Sequence, residues 1–356
     1  MLLASNFSRA GFGFAGWSKT FDYSDDTGFL GPQETITFTA GQYTGSNPGL
    51  SLYARWIKSA GSLQGWTCPN NTTMPVGTVT ALTDQRDNET YAVAKLADGK
   101  CWMIENMRLE NTGTDNTSGS LAQGYNASFA GLAAPEGPSL FDTVTTANSL
   151  YSTDGSTDKT ISGSYQGYRF PRYNNVNTPT TTTDRPNNPT TNSATNTTSD
   201  AGMYSYGNYY TWAAAIADTT NYTSGDHDTT SICPTGWKIP LGNTSTGDIE
   251  QGAADTANRI GSFSWLDRKL GGTGANQSTD EASLRWRKYP NNFVYSGSVT
   301  SGSVYSRGSY GGYWSSTANS GYYAYLMYFS SSYVYPGTNF TNKYIGRSIR
   351  CLASGA

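Results

Sequence analysis

The side chains that could do chemistry in this chain are few and scattered. Its only histidine, His227, lies in the run Gly225-Asp226-His227-Asp228. That triplet offers groups able to ligate a metal, but successive loop residues do not converge on one point, and no second histidine completes a set. The four cysteines, Cys68, Cys101, Cys233 and Cys351, form no CxxC pair, which argues against a zinc knuckle. Their even count and wide spacing fit two disulfides. Of the three possible pairings, the expected one is Cys68–Cys101, closing a short β-meander, with Cys233–Cys351 clipping the last strand to the middle of the domain. Four reduced, buried thiols are the alternative. There is no Ser-His pair, nucleophile elbow, HExxH or phosphate loop. Paired carboxylates for glycoside hydrolysis stay open, yet the segment 291–350 has no Asp or Glu to offer. The expectation is therefore no catalytic residue, no metal site and no cofactor, with a structural calcium left open in the loop-rich middle.

What the chain does concentrate is tyrosine. Eleven of its 26 tyrosines fall between Phe293 and Arg350, among Ser, Gly and Asn. From Tyr289 to Cys351 the only charged residues are Arg307, Lys343, Arg347 and Arg350. Rigid amphipathic rings with small hydrogen-bonding neighbours have the composition of a binding surface, because Tyr gives large contact area at low entropy cost. The rest of the chain must then build the platform that positions this segment.

The chain has 356 residues, enough for two domains and a sizeable core. A net charge of -3 gives no general attraction to nucleic acid or anionic membrane. Only 14 % of residues are charged, which suits a β-rich extracellular protein better than a cytosolic helical enzyme. No apolar run approaches the length of a membrane span. Met1-Leu2-Leu3-Ala4 is too short for a signal peptide, so the start is expected to be truncated, with signal or anchor missing.

In chain order, Gly11 to Ser18 alternates apolar and small residues as a strand does, Asp25-Asp26-Thr27-Gly28 is a turn, and Thr35 to Phe38 and Leu50 to Trp56 are further strands. Residues 58–76 read as a linker. Thr78 to Asp84, Thr90 to Leu96 and Lys100 to Met107 are three strands, the last two joined by the tight-turn signal Asp98-Gly99. Residues 110–205 are the loosest part. Asn175 to Asp200 is nearly all Thr, Asn, Pro and Ser and is expected as a surface excursion or disorder, held down by Tyr165, Tyr168, Phe170 and Tyr173. Short helices are expected at Tyr209 to Ala217, within Gly242 to Gly271 (opening at Thr246 to Glu250, with Ile260, Phe263, Trp265, Leu266 and Leu270 buried), and from Asp280. In the strand Tyr323 to Ser330, Tyr325, Met327 and Phe329 are assigned to the core and Leu326, Tyr328 and Ser330 to the surface. Trp314 is assigned to the core.

Two resemblances follow from these pieces. "GFAGWS … LYARW", at residues 11–56, resembles the Listeria–Bacteroides (internalin B-type) repeat of bacterial surface proteins, which implies a β-grasp-like spacer at 1–57. "DQRDNETYAVAKLADGKCWMIENMRL" from Asp84, "YGNYYTWAAAIA" from Tyr206, "ICPTGWKIP" from Ile232 and "YWSST … RSIRCL" from Tyr313 resemble the FISUMP (major paralogous) domain. That resemblance covers 77–356 and implies an α+β, C-type-lectin-like and formylglycine-generating-enzyme-like fold with small antiparallel sheets, a few short helices and long loops.

The formylglycine-generating relatives hold copper with two neighbouring cysteines near the C-terminus. Here only Cys351 is present, so oxidase activity is a remote alternative. The calcium-dependent sugar motifs, Glu-Pro-Asn and Trp-Asn-Asp, are also missing; Pro336 stands in Tyr335-Pro336-Gly337. The Tyr/Ser/Asn palette of 298–345 resembles the variable proteins of diversity-generating retroelements, in which templated adenines are randomised. The implied function is a bacterial cell-surface protein that binds a protein or glycan ligand on another cell or phage. It would bind no nucleic acid and not insert into the membrane. A fixed adhesin or carbohydrate-binding module is the alternative. The candidate face comprises Tyr305, Ser309, Tyr310, Asn319, Ser320, Tyr322, Tyr323, Leu326, Tyr328, Ser330, Tyr333, Tyr335, Asn339, Phe340 and Asn342. Arg347 and Arg350 either face the ligand or hold the scaffold through an ion pair or carbonyl contacts.

Overall fold

A computed structural model describes residues 9–21, 29–32, 34, 51–86, 88–108, 206–207, 209–216, 222–227, 231–242, 261–300 and 303–354, with strand pieces at 160–161, 164–165 and 169–170. The turn at 25–28, the strand at 35–38, the tract 175–200 and the helix opening at 246–250 lie outside the described residues, as do Ile260, Tyr168 and Tyr173.

The chain is mixed α+β and mostly sheet. Its strands are β1 (Phe12–Ser18), β2 (Tyr53–Lys58), β3 (Val79–Thr83), β4 (Thr90–Lys95), β5 (Cys101–Met103), β6 (Thr160–Ile161), β7 (Ser164–Tyr165), β8 (Arg169–Phe170), β9 (Tyr209–Tyr210), β10 (Gly225–Asp226), β11 (Trp237–Lys238), β12 (Ser298–Thr300), β13 (Ser303–Tyr305), β14 (Tyr310–Ala318), β15 (Tyr323–Ser330), β16 (Val334–Asn342) and β17 (Leu352–Ala353). The helices are α1 (Trp212–Ile216), α2 (Ser262–Lys269) and α3 (Asp280–Arg287). A five-stranded sheet has the order β11-β17-β5-β4-β3, and a four-stranded sheet the order β10-β14-β15-β16. All registered pairs in both are antiparallel.

In each large sheet the sequence alternation sorts the buried side chains between two cores. Tyr91, Val93, Cys101, Met103, Trp314, Ala324 and Leu326 enter one core, which α1 closes with Trp212, Ala214 and Ile216. Ala92, Ala94, Trp102, Tyr313, Met327 and Phe329 enter the other, which α2 and α3 close with Phe263, Leu266, Ala282 and Trp286. Period-2 geometry sends successive residues to opposite sides, so one strand serves two cores when nearly all its positions are apolar or small, and the buried Lys95 of β4 meets this by donating to the Pro69 carbonyl. Helix α3 starts where local chemistry starts it. In α3 the Thr279 hydroxyl caps the helix by accepting from the Ala282 N–H at 3.1 Å, ahead of Asp280 and Glu281 in the first turn. In α2, Phe263 and Leu266 are buried as expected, whereas Trp265 and Leu270 are only partly covered.

Both expected disulfides are present, with Cα atoms 5.6 Å apart for Cys68–Cys101 and 5.8 Å for Cys233–Cys351. All four sulfurs lie in the α1-side core. Disulfides of this kind persist in oxidising surroundings, which fits a secreted or extracellular setting. No helix among the described residues is long and apolar enough to cross a membrane. The stretch 58–76 carries Cys68, the buried Leu63, and Trp66 stacked on Trp237 at 5.7 Å between ring centroids.

The β1–β2 hairpin lies across β4. A side chain at Gly13 would put its Cβ 2.5 Å from the Ala92 nitrogen, so only glycine permits this approach. Glu105 joins the two elements. Its Oε2 accepts from the Ala92 N–H at 2.6 Å and the Phe14 N–H at 3.2 Å, while Oε1 meets Arg108 Nη1 at 3.3 Å. Arg108 also pairs with Glu89 at 2.7 Å. On the other side of the hairpin, Asn292 donates to the Ala15 carbonyl at 2.9 Å.

Glu105→Gln removes one of the two carboxylates paired with Arg108 and weakens a buried acceptor for two backbone donors. The expected cost is about 3 kcal/mol, the low end for breaking a buried ion pair, because Glu89 remains. Urea unfolding of the variant measures it. An unchanged midpoint would show that the hairpin does not depend on this carboxylate.

Candidate functional site

The tyrosine-rich segment forms the outer part of the four-stranded sheet, and the pairing register decides which rings share a side. Tyr328 stands opposite Gly312 on β14 and Tyr335 on β16, and Tyr310 stands opposite Ser330. Cross-strand partners project to the same face, so Tyr310, Tyr328 and Tyr335 share one. Tyr333, in the turn before β16, joins them. Centroids are 4.9 Å apart for Tyr310–Tyr328, 5.7 Å for Tyr328–Tyr333, 6.3 Å for Tyr328–Tyr335 and 5.3 Å for Tyr333–Tyr335. The Tyr333 hydroxyl donates to that of Tyr328 at 3.4 Å. Burial pushes the Tyr328 hydroxyl well above its ordinary value. Tyr310 is fixed from outside the cluster by a 2.6 Å hydrogen bond with the Ser298 hydroxyl.

A second aromatic group lies at the opposite end of β15. Tyr323 packs on Phe340 at 5.6 Å, and Tyr325 meets Phe340 edge-on at 6.1 Å. Tyr323 pairs with Asn342 and Tyr325 with Phe340. By the alternation of β15 these rings point to the Met327–Phe329 side, away from Tyr328. Asn319 and Ser320 turn the chain here, both backbone N–H groups donating to the Tyr323 carbonyl, while the Ser320 hydroxyl accepts from Tyr322 and Tyr323. Tyr322 is 59 % exposed and Phe340 49 %, the most open aromatics of the segment.

The sequence-predicted face is therefore two faces. Tyr310, Tyr328, Tyr333 and Tyr335 are half-buried and make one group; Asn319, Ser320, Tyr322, Tyr323, Phe340 and Asn342 make the other. Tyr305 and Ser309 are exposed in the chain leading into β14, and Asn339 is half-buried opposite Leu326. Two positions are corrected. Leu326 is 1 % exposed, packed in the α1-side core, so it cannot touch a ligand. Ser330 is also buried, its hydroxyl accepting from the Ser332 N–H at 3.2 Å. Alternation puts both outward only if that strand face meets water, and at Leu326 it is instead packed against residues of α1, β4 and β5. Tyr328, read as fully outward, is half-covered by its ring neighbours. Tyr325, read as core, is only half-buried. Trp314, Met327 and Phe329 are fully buried as expected.

The two arginines near the C-terminus have opposite surroundings. Arg350 is a scaffold residue that uses carbonyl contacts. Nη1 donates to the Asn291 carbonyl at 2.6 Å, Nη2 to the Asn292 carbonyl at 2.5 Å and Nε to Asn106 Oδ1 at 2.8 Å. Burial pulls its guanidinium down to about 10, with Tyr313 and Glu105 opposing. Arg347 is 7 % exposed, yet its Nε and Nη1 have no hydrogen-bond partner. No ion pair reaches it among the described residues. Its guanidinium lies 5.5 Å from the Tyr310 ring centroid and 6.0 Å from that of Tyr328. Burial lowers its pKa, and the neighbouring Tyr310 hydroxyl works against that shift. Next to it, Arg307 donates to the Tyr209 hydroxyl at 3.0 Å.

His227 stacks on Tyr222 at 3.5 Å between centroids, and the Asp226 carboxylate accepts from Thr317, so these neighbours point to different partners. Asp228 lies outside the described residues. Among the described residues no three His, Cys, Asp or Glu side chains are grouped to hold a metal. Sequence reasoning missed the Glu105–Arg108 pair, although its partners are three residues apart, and the Arg350–Asn106 contact, whose partners are 244 residues apart. The open donors of Arg347 were signalled only by the lack of acidic residues in its segment. No protein-family model matches the chain, and no curated protein or solved structure matches it either.

Leu326→Ala is expected to cost about 2–5 kcal/mol, as a core truncation does. Thermal or denaturant unfolding checks this. A change within the scatter of surface substitutions would return Leu326 to the ligand-facing side.

Proposed function

We propose that this chain is a bacterial cell-surface ligand-binding protein. It presents a Tyr/Ser/Asn-rich surface on a C-type-lectin-like scaffold, and that surface is diversified by a retroelement. It recognises its ligand non-covalently and is not an enzyme. The observation that carries the reading is the division of labour within residues 305–342. Tyr305, Tyr322, Tyr323 and Phe340 stand exposed, whereas Trp314, Leu326, Met327 and Phe329 between them are buried. Large aromatic side chains left in water lose the stabilisation of burial, roughly 1.5–3 kcal/mol each. A surface that carries several of them beside Ser and Asn is suited to contact with another molecule.

The same division supports diversification. Substitution at an exposed position leaves the two cores untouched, so many sequences can share one fold. The disulfides and the inward residues then hold the scaffold while the outward ones change. The aromatics act as anchors that fill or stack on partner sites, with Ser and Asn supplying polar contacts around them.

Sequencing the encoding locus from many cells of one population tests the proposal. Variation is expected at codons for Tyr305, Tyr322, Tyr323, Tyr333 and Phe340, templated at adenines of a nearby copy beside a reverse transcriptase gene, and not at codons for Trp314, Leu326 or Phe329. A uniform segment with no template copy would establish a fixed surface, leaving an adhesin or carbohydrate-binding module.

A further inference from the structure

The resemblance of residues 1–57 to a surface-protein repeat implies a spacer, tied to the rest by a linker. Past β2, however, the chain does not leave as a free tether. It lies along the outer edge of β3. The Ala60 N–H donates to the Ala81 carbonyl at 2.8 Å, the Thr83 N–H to the Gly61 carbonyl at 2.8 Å and the Leu63 N–H to the Thr83 carbonyl at 2.9 Å. The Thr83 hydroxyl adds a 2.7 Å bond to the Ser59 hydroxyl. Residues 59–63 are thereby an extension of the five-stranded sheet, with their backbone groups engaged as in a ladder.

The N-terminal unit also meets the end of α3 and the loop behind it. Gly31 approaches so closely that a Cβ there would lie 2.1 Å from the Arg287 carbonyl oxygen. Asn292 donates to the Ala15 carbonyl at 2.9 Å. Arg55 of β2 donates to the Tyr289 hydroxyl, and its guanidinium lies 4.0 Å from the Phe29 ring centroid and 5.7 Å from that of Tyr289. Together with Gly13 on Ala92 and Glu105 on the Phe14 N–H, these contacts hold the hairpin from several sides. A spacer that folds by itself needs none of them.

The loop so held is the foot of the tyrosine-bearing sheet. Arg350 donates to the Asn291 and Asn292 carbonyls and to Asn106. Asn106 Nδ2 donates to the Tyr313 hydroxyl at 3.3 Å, and that hydroxyl donates to the Val294 carbonyl at 2.9 Å. Tyr313 belongs to β14, one residue from the Gly312 that stands opposite Tyr328. Asn106, Asn292, Tyr313 and Arg350 are all buried. Buried polar groups cannot lose partners one at a time without each forfeiting its hydration, so such a network holds or opens as a whole.

We propose that the β1–β2 hairpin and its extension 59–63 are a clasp built into the binding domain, and that the clasp and the tyrosine-bearing sheet open together as one cooperative unit. Strain on the hairpin then reaches β14 through hydrogen bonds, where a slack linker would absorb it. The clasp stands on contacts alone; only its bearing on recognition rests on the reading of the chain as a ligand-binding protein.

Native-state hydrogen exchange of the full chain, read by mass spectrometry at a series of urea concentrations below the unfolding transition, tests the clasp. Peptides covering β1 and β2 should open with the same free energy and the same urea dependence as peptides covering β14 and β15. Arg55→Ala removes a contact between hairpin and loop without entering either core. It should speed exchange in all four strands by one common factor of roughly tenfold, the low end for a hydrogen bond to a charged group. Hairpin peptides that open at a lower free energy, while β14 and β15 keep theirs, overturn the clasp and restore a separate spacer. Faster exchange of Arg55→Ala in the hairpin alone, or in no strand, overturns it too. No ligand enters the measurement, so failure of the clasp leaves the ligand-binding reading where it stood.

Discussion

The constraint on which the rest of this structure depends is that the inner strands of both large sheets divide their buried side chains between two different cores. Trp314 and Leu326 enter one, and Tyr313 and Met327, their chain neighbours, enter the other. A sheet committed in this way has little free face to offer. What it exposes are strand ends, turns and the half-buried row of Tyr310, Tyr328 and Tyr335, and that is where the aromatic side chains of the C-terminal segment emerge. The surface is available for function because the cores were filled by other residues of the same strands.

Much of this was legible in the sequence where the signal was local. The Asp98-Gly99 turn with strands on each side, the helix start at Asp280, and the alternation that buries Met327 and Phe329 each need only a few neighbouring residues. The disulfide pairing could be reasoned from spacing. Leu326 and Ser330 could not be placed correctly, because alternation reports which residues share a side and not whether that side is covered. Nor could the division of the tyrosines into two groups, which follows from the register of β14, β15 and β16. Glu105 and Asn106 read as the end of a strand. They are instead the polar centre that ties the β1–β2 hairpin and Arg350 to the domain, through partners as far as 244 residues away in the chain.

Arg347 and Arg350 show how chemistry is assigned by surroundings and not by residue type. Both are buried, both lie in the last described stretch, and both face aromatic rings. Arg350 is enclosed by backbone carbonyls and Asn106 and so fixes the loop at Asn291 and Asn292. Arg347 sits where a glycine interrupts a row of tyrosines and retains open donors.

The central claim is that the fold and the displayed surface are separable. Replacing Tyr305, Tyr322, Tyr323 and Phe340 together with serine, and following thermal unfolding by circular dichroism, tests it most directly. The account predicts a cooperative transition retained at a total cost of no more than about 2 kcal/mol, four surface truncations at about 0.5 kcal/mol each. Loss of the cooperative transition would place these rings among the residues that hold the fold, and would contradict their role as a surface kept free for a ligand.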